Sequence, residues 1–206
     1  MNSEKLYLYP VWLRLWHGLN ALCIIMLILT GISIQYSDIK YPFIPFDTAI
    51  ILHNIFGVIA VVSYVFFFFA NLFTENGKQY RIKMKGLLQR LTKQTQYYLT
   101  GYFKDAPKPY PIEKNNKFNP LQRIAYTSAM YLLMPIVIIT GVALLFPEFI
   151  IDEVFEISGI QITAIVHAAA GFFISIFFII HLYVASVGKH PLKNYKSIIS
   201  GYHESH

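Results

Sequence analysis

Charged residues are distributed unevenly along the chain, and four long stretches rich in Leu, Ile, Val and Phe contain no Asp, Glu, Lys or Arg. A membrane-spanning helix needs about 20 predominantly apolar residues, and a helix satisfies its own backbone hydrogen bonds in lipid. The pattern therefore predicts an all-α integral membrane four-helix bundle. We expect one domain, residues 1–206, with a cytoplasmic loop at 75–119 and helices at approximately 11–37, 48–74, 120–147 and 158–188.

The overall composition agrees with a membrane protein. Of the 206 residues, 55% are hydrophobic and only 14% are charged, and the mean hydropathy is +0.47. Soluble domains usually carry about 25% charged residues. The composition therefore excludes a soluble enzyme and a disordered chain, and the single cysteine, Cys23, excludes an intrachain disulfide scaffold.

The basic residues predict the orientation of the bundle. The formal net charge is +6, and sixteen of the 17 Lys and Arg residues lie at the two termini or between the second and third predicted helices. Lys40 is the only basic residue in the other two connections, which hold six acidic residues. The positive-inside rule therefore places both termini and the middle loop in the cytoplasm. The acidic segment 148–156 on the opposite side is a candidate docking surface, although acidic residues there also follow from topology alone.

Two further segments bear on the topology. We expect the first apolar stretch to be a retained helix, because it is longer than the apolar core of a signal peptide and no small-residue cleavage pattern follows it. In the middle loop, residues 84–103 mix Leu and Tyr with Lys and Arg. This mixture predicts an amphipathic interfacial helix on the anionic inner leaflet, and an ordinary solvated basic loop is the alternative.

Four histidines fall inside the predicted spans, where ionisable side chains are rare and usually functional. No charged residue accompanies them at membrane depth. A proton or ion pathway usually shows buried carboxylates, whereas isolated neutral imidazoles suit metal ligation. The four are His17, His53, His167 and His181.

The spacing of these histidines predicts two pairs at different depths. His167 and His181 are fourteen residues apart, nearly four helical turns or about 21 Å, so both leave almost the same helix face. His17 lies at the cytoplasmic start of the first helix and His53 near the external start of the second. We therefore pair His53 with His167 outside and His17 with His181 inside. Two stacked bis-histidine sites are typical of two haem groups in an electron-transfer chain, whereas a zinc site gathers its ligands at one depth.

Glycines near the histidines agree with a flat macrocycle between helices. Gly57 and Gly171 each follow a histidine by four residues, and Gly31 lies at the depth of the outer pair. Small residues that allow close helix packing are the alternative. Arg14 lies one turn before His17 and is a candidate contact for an inner-haem propionate, or a topological anchor at the helix end.

Other polar and aromatic residues receive simpler interpretations. We expect Trp12 and Trp16 in an interfacial aromatic belt and the late histidines His190, His203 and His206 exposed to solvent. The sequence contains no CxxCH, GxGxxG or P-loop pattern. Covalently attached haem is therefore excluded, and flavin, nicotinamide and nucleotide sites have no support.

Two other classes of protein compete with a cytochrome. A histidine-containing transporter or channel for protons or metal ions would normally carry intramembrane carboxylates, which are missing here. A non-redox membrane anchor would leave the four matched histidines without a role.

Three parts of the chain carry a resemblance to a known family. The segments VWLRLWHGLN, FNPLQRIAY running into MPIVIITG, and VHAAAG with the later HLYVASVG resemble the bacterial cytochrome b561 group. That group includes membrane subunits of formate dehydrogenase-N, nickel–iron hydrogenase and thiosulfate reductase. The resemblance covers all four helices and is closest to the thiosulfate reductase branch.

The resemblance implies a cofactor set and an exchangeable substrate. It implies two b-type haems, with iron held by His53 and His167 outside and by His17 and His181 inside. It also implies exchange of a quinone, menaquinone or ubiquinone, beside the inner haem. Asn119 and Gln122 match the quinone-contact motif, with His181 nearby, while Leu121 replaces a glycine of that motif. A helix cap at Asn119, with Pro120 at the first helical position, is an equally good local interpretation.

The resemblance further implies partners and a location. The chain would be the quinone-reactive membrane subunit of a respiratory oxidoreductase in the bacterial inner membrane, surrounded by lipid. On the external face it would meet an iron–sulfur or multihaem c-type electron-transfer subunit together with a catalytic subunit. No nucleic acid is expected as a partner.

Overall fold

The computed structural model describes residues 5–36, 42–187 and 191–204 of the chain. The predicted helix ends at residues 37 and 188 and the side chains of Lys40, His190 and His206 lie outside these ranges. The described part is mostly helical, and its α-helices are α1 (Val11–Gln35), α2 (Phe46–Phe73), α3 (Leu87–Gln96), α4 (Pro120–Ser128), α5 (Met134–Leu145), α6 (Gly159–Ser186) and α7 (Lys193–Ser200).

Four helical segments are long and apolar enough to cross a membrane, as predicted. They are Val11–Gln35, Phe46–Phe73, Pro120–Leu145 and Gly159–Ser186. Their ends lie within two residues of the predicted bounds wherever the structure describes those bounds. About half of their large apolar side chains are exposed on the isolated chain, as expected of helices that face lipid.

The third span is interrupted by a π-helical segment. Ala129–Leu133 joins α4 to α5, and Pro135 follows it within the first turn of α5. Because proline has no backbone N–H and its ring collides with the preceding turn, it disturbs the regular hydrogen-bond ladder. Wide turns of this kind are a common response to such a disturbance.

The chain divides into two compact units. The first, the terminal unit, consists of residues 1–14, 70–131 and 182–206, and the second, the histidine unit, consists of residues 15–69 and 132–181. In the histidine unit the most deeply buried side chains include Cys23, Thr30, Ala49 and Phe67. Three of these are small, which lets membrane helices approach closely.

The terminal unit contains a short sheet that the all-α prediction missed. Strand β1 (Lys5–Tyr7) pairs antiparallel with the last strand, Tyr202–Glu204, and Leu6 lies opposite His203. His203 is therefore only 9% exposed and its ring contacts the Ser197 hydroxyl at 3.4 Å. The prediction that His203 faces solvent is wrong, because strand pairing between the two ends of the chain covers it.

The same unit holds the helical part of the middle loop. A 3-10 helix at Glu75–Tyr80 is followed by α3, which continues through a π turn at Tyr97–Gly101 and a 3-10 turn at Tyr102–Lys104. Met84, Leu88, Leu99 and Phe103 are all exposed. Helical structure is thus present in the predicted amphipathic stretch, and its position on a leaflet stays a prediction.

The acidic segment 148–156 leads into a β-hairpin, which lies in the histidine unit. Strand β2 (Glu153–Val154) pairs antiparallel with β3 (Ile157–Ser158), and the last strand of the chain is β4 (Tyr202–Glu204). The two corner residues, Phe155 and Glu156, have φ angles of 52° and 66°. Both angles suit a tight hairpin turn, which usually contains glycine or asparagine. The turn leaves the Phe155 side chain 95% exposed.

Candidate functional site

The four intramembrane histidines form two pairs, and all four belong to the histidine unit. The rings of His53 and His167 have centroids 6.2 Å apart and planes inclined at 73°. The rings of His17 and His181 have centroids 6.2 Å apart and planes inclined at 58°. These are the two pairs that the sequence spacing predicts. Each side chain is partly buried.

The separation within each pair fits two axial ligands of one metal ion. A bond from a metal ion to an imidazole nitrogen is about 2 Å long, and the ring centroid lies roughly 1 Å behind that nitrogen. Two such ligands on opposite sides of one ion therefore have centroids about 6 Å apart. The equal separation of 6.2 Å in both pairs thus fits bis-histidine ligation, as in b-type haem.

Threonine hydroxyls contact both histidines of the pair His53 and His167, which is called the outer pair after its predicted position. The Thr30 hydroxyl lies 2.8 Å from His53 Nδ1, and the Thr140 hydroxyl lies 3.0 Å from His167 Nδ1. With Nδ1 engaged in this way, Nε2 is the nitrogen left for a metal, and a hydrogen bond on the other ring nitrogen is the usual support of a metal-bound histidine.

The two threonines were not among the predicted residues, although the sequence contains a signal for them. The first and third spans contain the similar segments LILTG and VIITG, each with a Thr-Gly pair. Each following span contains a histidine with glycine four residues later, in HNIFG and HAAAG. This similarity between the two halves of the chain distinguishes both threonines from the other polar residues of the spans.

The glycines beside the outer pair fall into two groups. A Cβ atom added to Gly31 would lie 3.5 Å from His53 Cε1, and one added to Gly141 would lie 2.9 Å from His167 Cε1. A Cβ added to Gly57 or Gly171 would meet nothing within 4 Å. Gly57 and Gly171 thus border open space, as a flat macrocycle requires, and Gly141 leaves room for the imidazole itself. Gly141 was not among the predicted residues.

Aromatic rings pack on one histidine of the inner pair and on the residue before the other. The Phe177 ring lies nearly parallel to the His181 ring, with centroids 5.9 Å apart. Trp16 is only 7% exposed, stacks on Phe67 at 4.1 Å and donates its indole N–H to the Ser63 carbonyl at 3.0 Å. The prediction that Trp16 belongs to an interfacial belt is wrong, because its ring fills the contact between α1 and α2.

Arg14 belongs to the terminal unit. Its guanidinium donates a hydrogen bond to the Ile199 carbonyl, and its Nε is buried without a hydrogen-bond partner. Arg14 thus has a hydrogen-bond partner within the terminal unit, and its buried Nε–H has none.

The predicted quinone contacts also lie in the terminal unit, whereas His181 belongs to the histidine unit. Asn119 caps α4: its side-chain oxygen accepts the Gln122 backbone N–H at 3.0 Å, and Gln122 Oε1 accepts the Asn119 backbone N–H at 3.1 Å. This reciprocal arrangement confirms the capping interpretation. Asn119 Nδ2 also donates to the Tyr98 hydroxyl at 2.8 Å.

The hydroxyl of Tyr98 is a stable partner for this amide. Burial raises the pKa of the Tyr98 phenol, although hydrogen bonds with Asn119 and Gln94 act in the opposite direction. The phenol therefore remains protonated at neutral pH. None of the side-chain N–H groups of Asn119 and Gln122 takes part in the cap, and one of those of Asn119 donates to Tyr98.

Comparison with known proteins supports a cytochrome. The family model for prokaryotic cytochrome b561 matches residues 8–201. A relative from Escherichia coli (strain K12), named "Putative cytochrome YdhU", is 35% identical over 203 residues, which are 98% of this chain and 76% of the relative. With four membrane-length helices and a family match along nearly its whole length, the chain is a membrane-spanning b-type cytochrome and belongs to the prokaryotic cytochrome b561 family.

Proposed function

We propose that the chain is a dihaem cytochrome that carries electrons between a membrane quinone and a redox partner on the external face. In this proposal His53 and His167 ligate the outer haem, and His17 and His181 ligate the inner haem. The supporting observation is the equal separation of 6.2 Å between ring centroids in both histidine pairs. Each haem, when bound, would supply a one-electron iron couple, and ligation by two imidazoles would leave the iron no open position for a substrate.

The ligand count favours haem over a metal site made by the protein alone. Among the residues that the structure describes, no group of three or more His, Cys, Asp or Glu side chains is arranged to hold a metal ion. A tetrahedral zinc site needs four ligands, of which protein side chains supply at least three. A pair of imidazoles is too few for such a site and is sufficient when a porphyrin provides the remaining ligands.

We assign quinone exchange on the cytoplasmic side to Asn119, Gln122 and the haem ligand His181. A quinone carbonyl accepts hydrogen bonds. The Asn119 amide and the Gln122 amide retain N–H groups that capping does not use. The cap fixes the backbone of both residues and so orients these donors before the quinone binds.

Charges support the proposed orientation and the external partner. With both termini and loop 75–119 in the cytoplasm, the hairpin of β2 and β3 lies outside. Its segment carries Glu148, Asp152, Glu153 and Glu156, which suits a partner with a basic surface. Quinone chemistry inside with a partner outside would move charge across the bilayer, at about 2.3 kcal/mol per charge per 100 mV.

Arg14 is assigned to a propionate of the inner haem. It precedes His17 by three residues on α1, and its buried Nε has no hydrogen-bond partner. A carboxylate would satisfy this donor with a charge-assisted hydrogen bond.

The proposal is tested by the haem content of the purified protein. A reduced-minus-oxidised spectrum and a haem assay should give two b-type haems per chain. His53→Ala and His167→Ala should each remove the same haem, while His17→Ala and His181→Ala should remove the other. Fewer than two haems in the wild type, or loss of different haems within one pair, would contradict the assignment.

A further inference from the structure

The outer histidines share a hydrogen-bonding arrangement in which the donor and the acceptor can be identified. The Thr30 hydroxyl lies 2.7 Å from the Met26 carbonyl, and the Thr140 hydroxyl lies 2.7 Å from the Ile136 carbonyl. A carbonyl oxygen only accepts, so each hydroxyl hydrogen is directed to the carbonyl of the preceding turn. The threonine oxygen is then left as an acceptor.

The direction of these threonine-to-carbonyl hydrogen bonds determines the tautomer of each imidazole ring. Since the Thr30 oxygen accepts, the hydrogen in its 2.8 Å contact with His53 must come from Nδ1. The same reasoning applies to Thr140 and His167, whose atoms lie 3.0 Å apart. Both imidazoles therefore carry a hydrogen on Nδ1 and a lone pair on Nε2, the form in which Nε2 can bind a metal.

We propose that Thr30 and Thr140 are positioning residues that fix His53 and His167 in this tautomer and lower the reduction potential of the outer haem. The inference rests on the proposed dihaem function. A ring whose Nδ1–H is donated to an acceptor becomes a more basic ligand, and a more basic ligand favours the oxidised iron. Because each histidine of the outer pair contacts a threonine hydroxyl through Nδ1, the two threonines would act on the same haem.

Glycine gives each hydroxyl its access to the ring. Gly31 and Gly141 directly follow the two threonines, and each lies against the same imidazole that its threonine contacts. A Cβ at Gly141 would lie 2.9 Å from His167 Cε1 and compete with the imidazole, whereas one at Gly31 would lie 3.5 Å from His53 Cε1, in ordinary contact. The Thr-Gly pair thus acts as one unit that orients an axial ligand.

The test is spectroelectrochemical titration of both haems in Thr30→Val and Thr140→Val. Valine keeps the branched shape and removes the acceptor. We expect each change to favour the reduced outer haem by up to about tenfold, an upward shift of at most about 59 mV for a one-electron couple, with the inner haem unchanged. Thr140→Ser, which keeps the hydroxyl, should restore the wild-type potential.

Thr163→Val is the matched control. Thr163 lies one turn before His167 on α6, and its hydroxyl donates to the Gly159 carbonyl at 2.8 Å. The change removes the same group beside the same site and should leave the potential unchanged. An equal shift in this control would show that general polarity is responsible and would overturn the inference.

The remaining outcomes also separate the possibilities. Loss of the outer haem in Thr140→Val but not in Thr140→Ser supports the positioning role, whereas loss in both overturns it in favour of packing. An unchanged outer-haem potential and electron paramagnetic resonance spectrum in both valine variants also overturn it. A wild-type protein with fewer than two haems refutes the proposed function instead, so the two failures are distinguishable.

Discussion

Gly141→Ala should weaken the outer haem site by displacing one ligand. The added Cβ would lie 2.9 Å from His167 Cε1 and 3.5 Å from Nδ1, where ordinary contacts are at least about 3.5 Å. The imidazole would have to retreat by roughly 0.5 Å or more. It cannot do so freely, because Thr140 holds its Nδ1 at 3.0 Å.

The expected cost follows from overpacking. An extra methyl group in a well-packed site costs about 1–3 kcal/mol, which corresponds to about 5-fold to 150-fold in the haem binding constant. Alanine is also about 1 kcal/mol more favourable than glycine in a helix. A loss of haem from Gly141→Ala would therefore not come from a weaker helix. The measurement is haem retention, followed by difference spectra during dilution into a haem scavenger.

Gly31→Ala is the matched control for this prediction. It adds the same methyl group next to the other imidazole of the same pair, but at 3.5 Å from His53 Cε1, an ordinary contact distance. We expect it to retain the outer haem at nearly the wild-type level. Equal retention in both alanine variants would refute the steric reasoning, and equal loss would show that the two glycines serve the macrocycle in the same way.

Three further predictions address other parts of the chain. Gly171→Leu should remove the outer haem while the helices remain intact by circular dichroism. A Cβ at Gly171 meets no protein atom within 4 Å, so the leucine side chain would enter the open space that we assign to the macrocycle. A variant that keeps both haems would exclude clearance as the role of Gly171. Asn119→Ala should slow reduction of the haems by a quinol, and so should Asn119→Ser, which keeps the cap; normal kinetics in the serine variant alone would assign Asn119 to capping. Burial lowers the pKa of the Lys117 ammonium, so the folded protein gains stability as the pH rises towards the pKa of this group in the unfolded chain. Lys117→Met removes the buried charge and should therefore raise Tm more at pH 7 than at pH 10. Equal changes in Tm at both pH values would contradict this reasoning.

The positions of the spans and the histidine pairs were predictable from the sequence because each rests on a one-dimensional pattern. Charge-free length determines a span, and a separation of fourteen residues on one helix determines that His167 and His181 share a face at different depths. The short sheet that buries His203 was not predictable in this way. It joins strands at the two ends of the chain, and no local periodicity records such a pairing.

Trp16 and Asn119 show where local rules are insufficient. A tryptophan near a helix end usually indicates the membrane interface, but the neighbouring helix supplies Phe67 and the Ser63 carbonyl, so the ring is buried. At Asn119 the local rule was correct, because a cap depends only on residues within one turn. The Tyr98 contact depends on tertiary structure and was missed.

The outer and inner histidine pairs differ in which spans provide and support their histidines. In the outer pair each histidine is supported by the preceding span: α1 provides Thr30 for His53 on α2, and the third span provides Thr140 for His167 on α6. The inner ligands come from the first and last spans, and the ring of His181 packs on Phe177 of its own helix. The outer pair thus has matched support from two similar helix pairs, and the inner pair does not follow that repeat. A hydrogen bond on a histidine that ligates haem changes the reduction potential of the iron. Under the proposed dihaem function, the two Thr-Gly pairs would therefore lower the potential of one haem through both of its ligands.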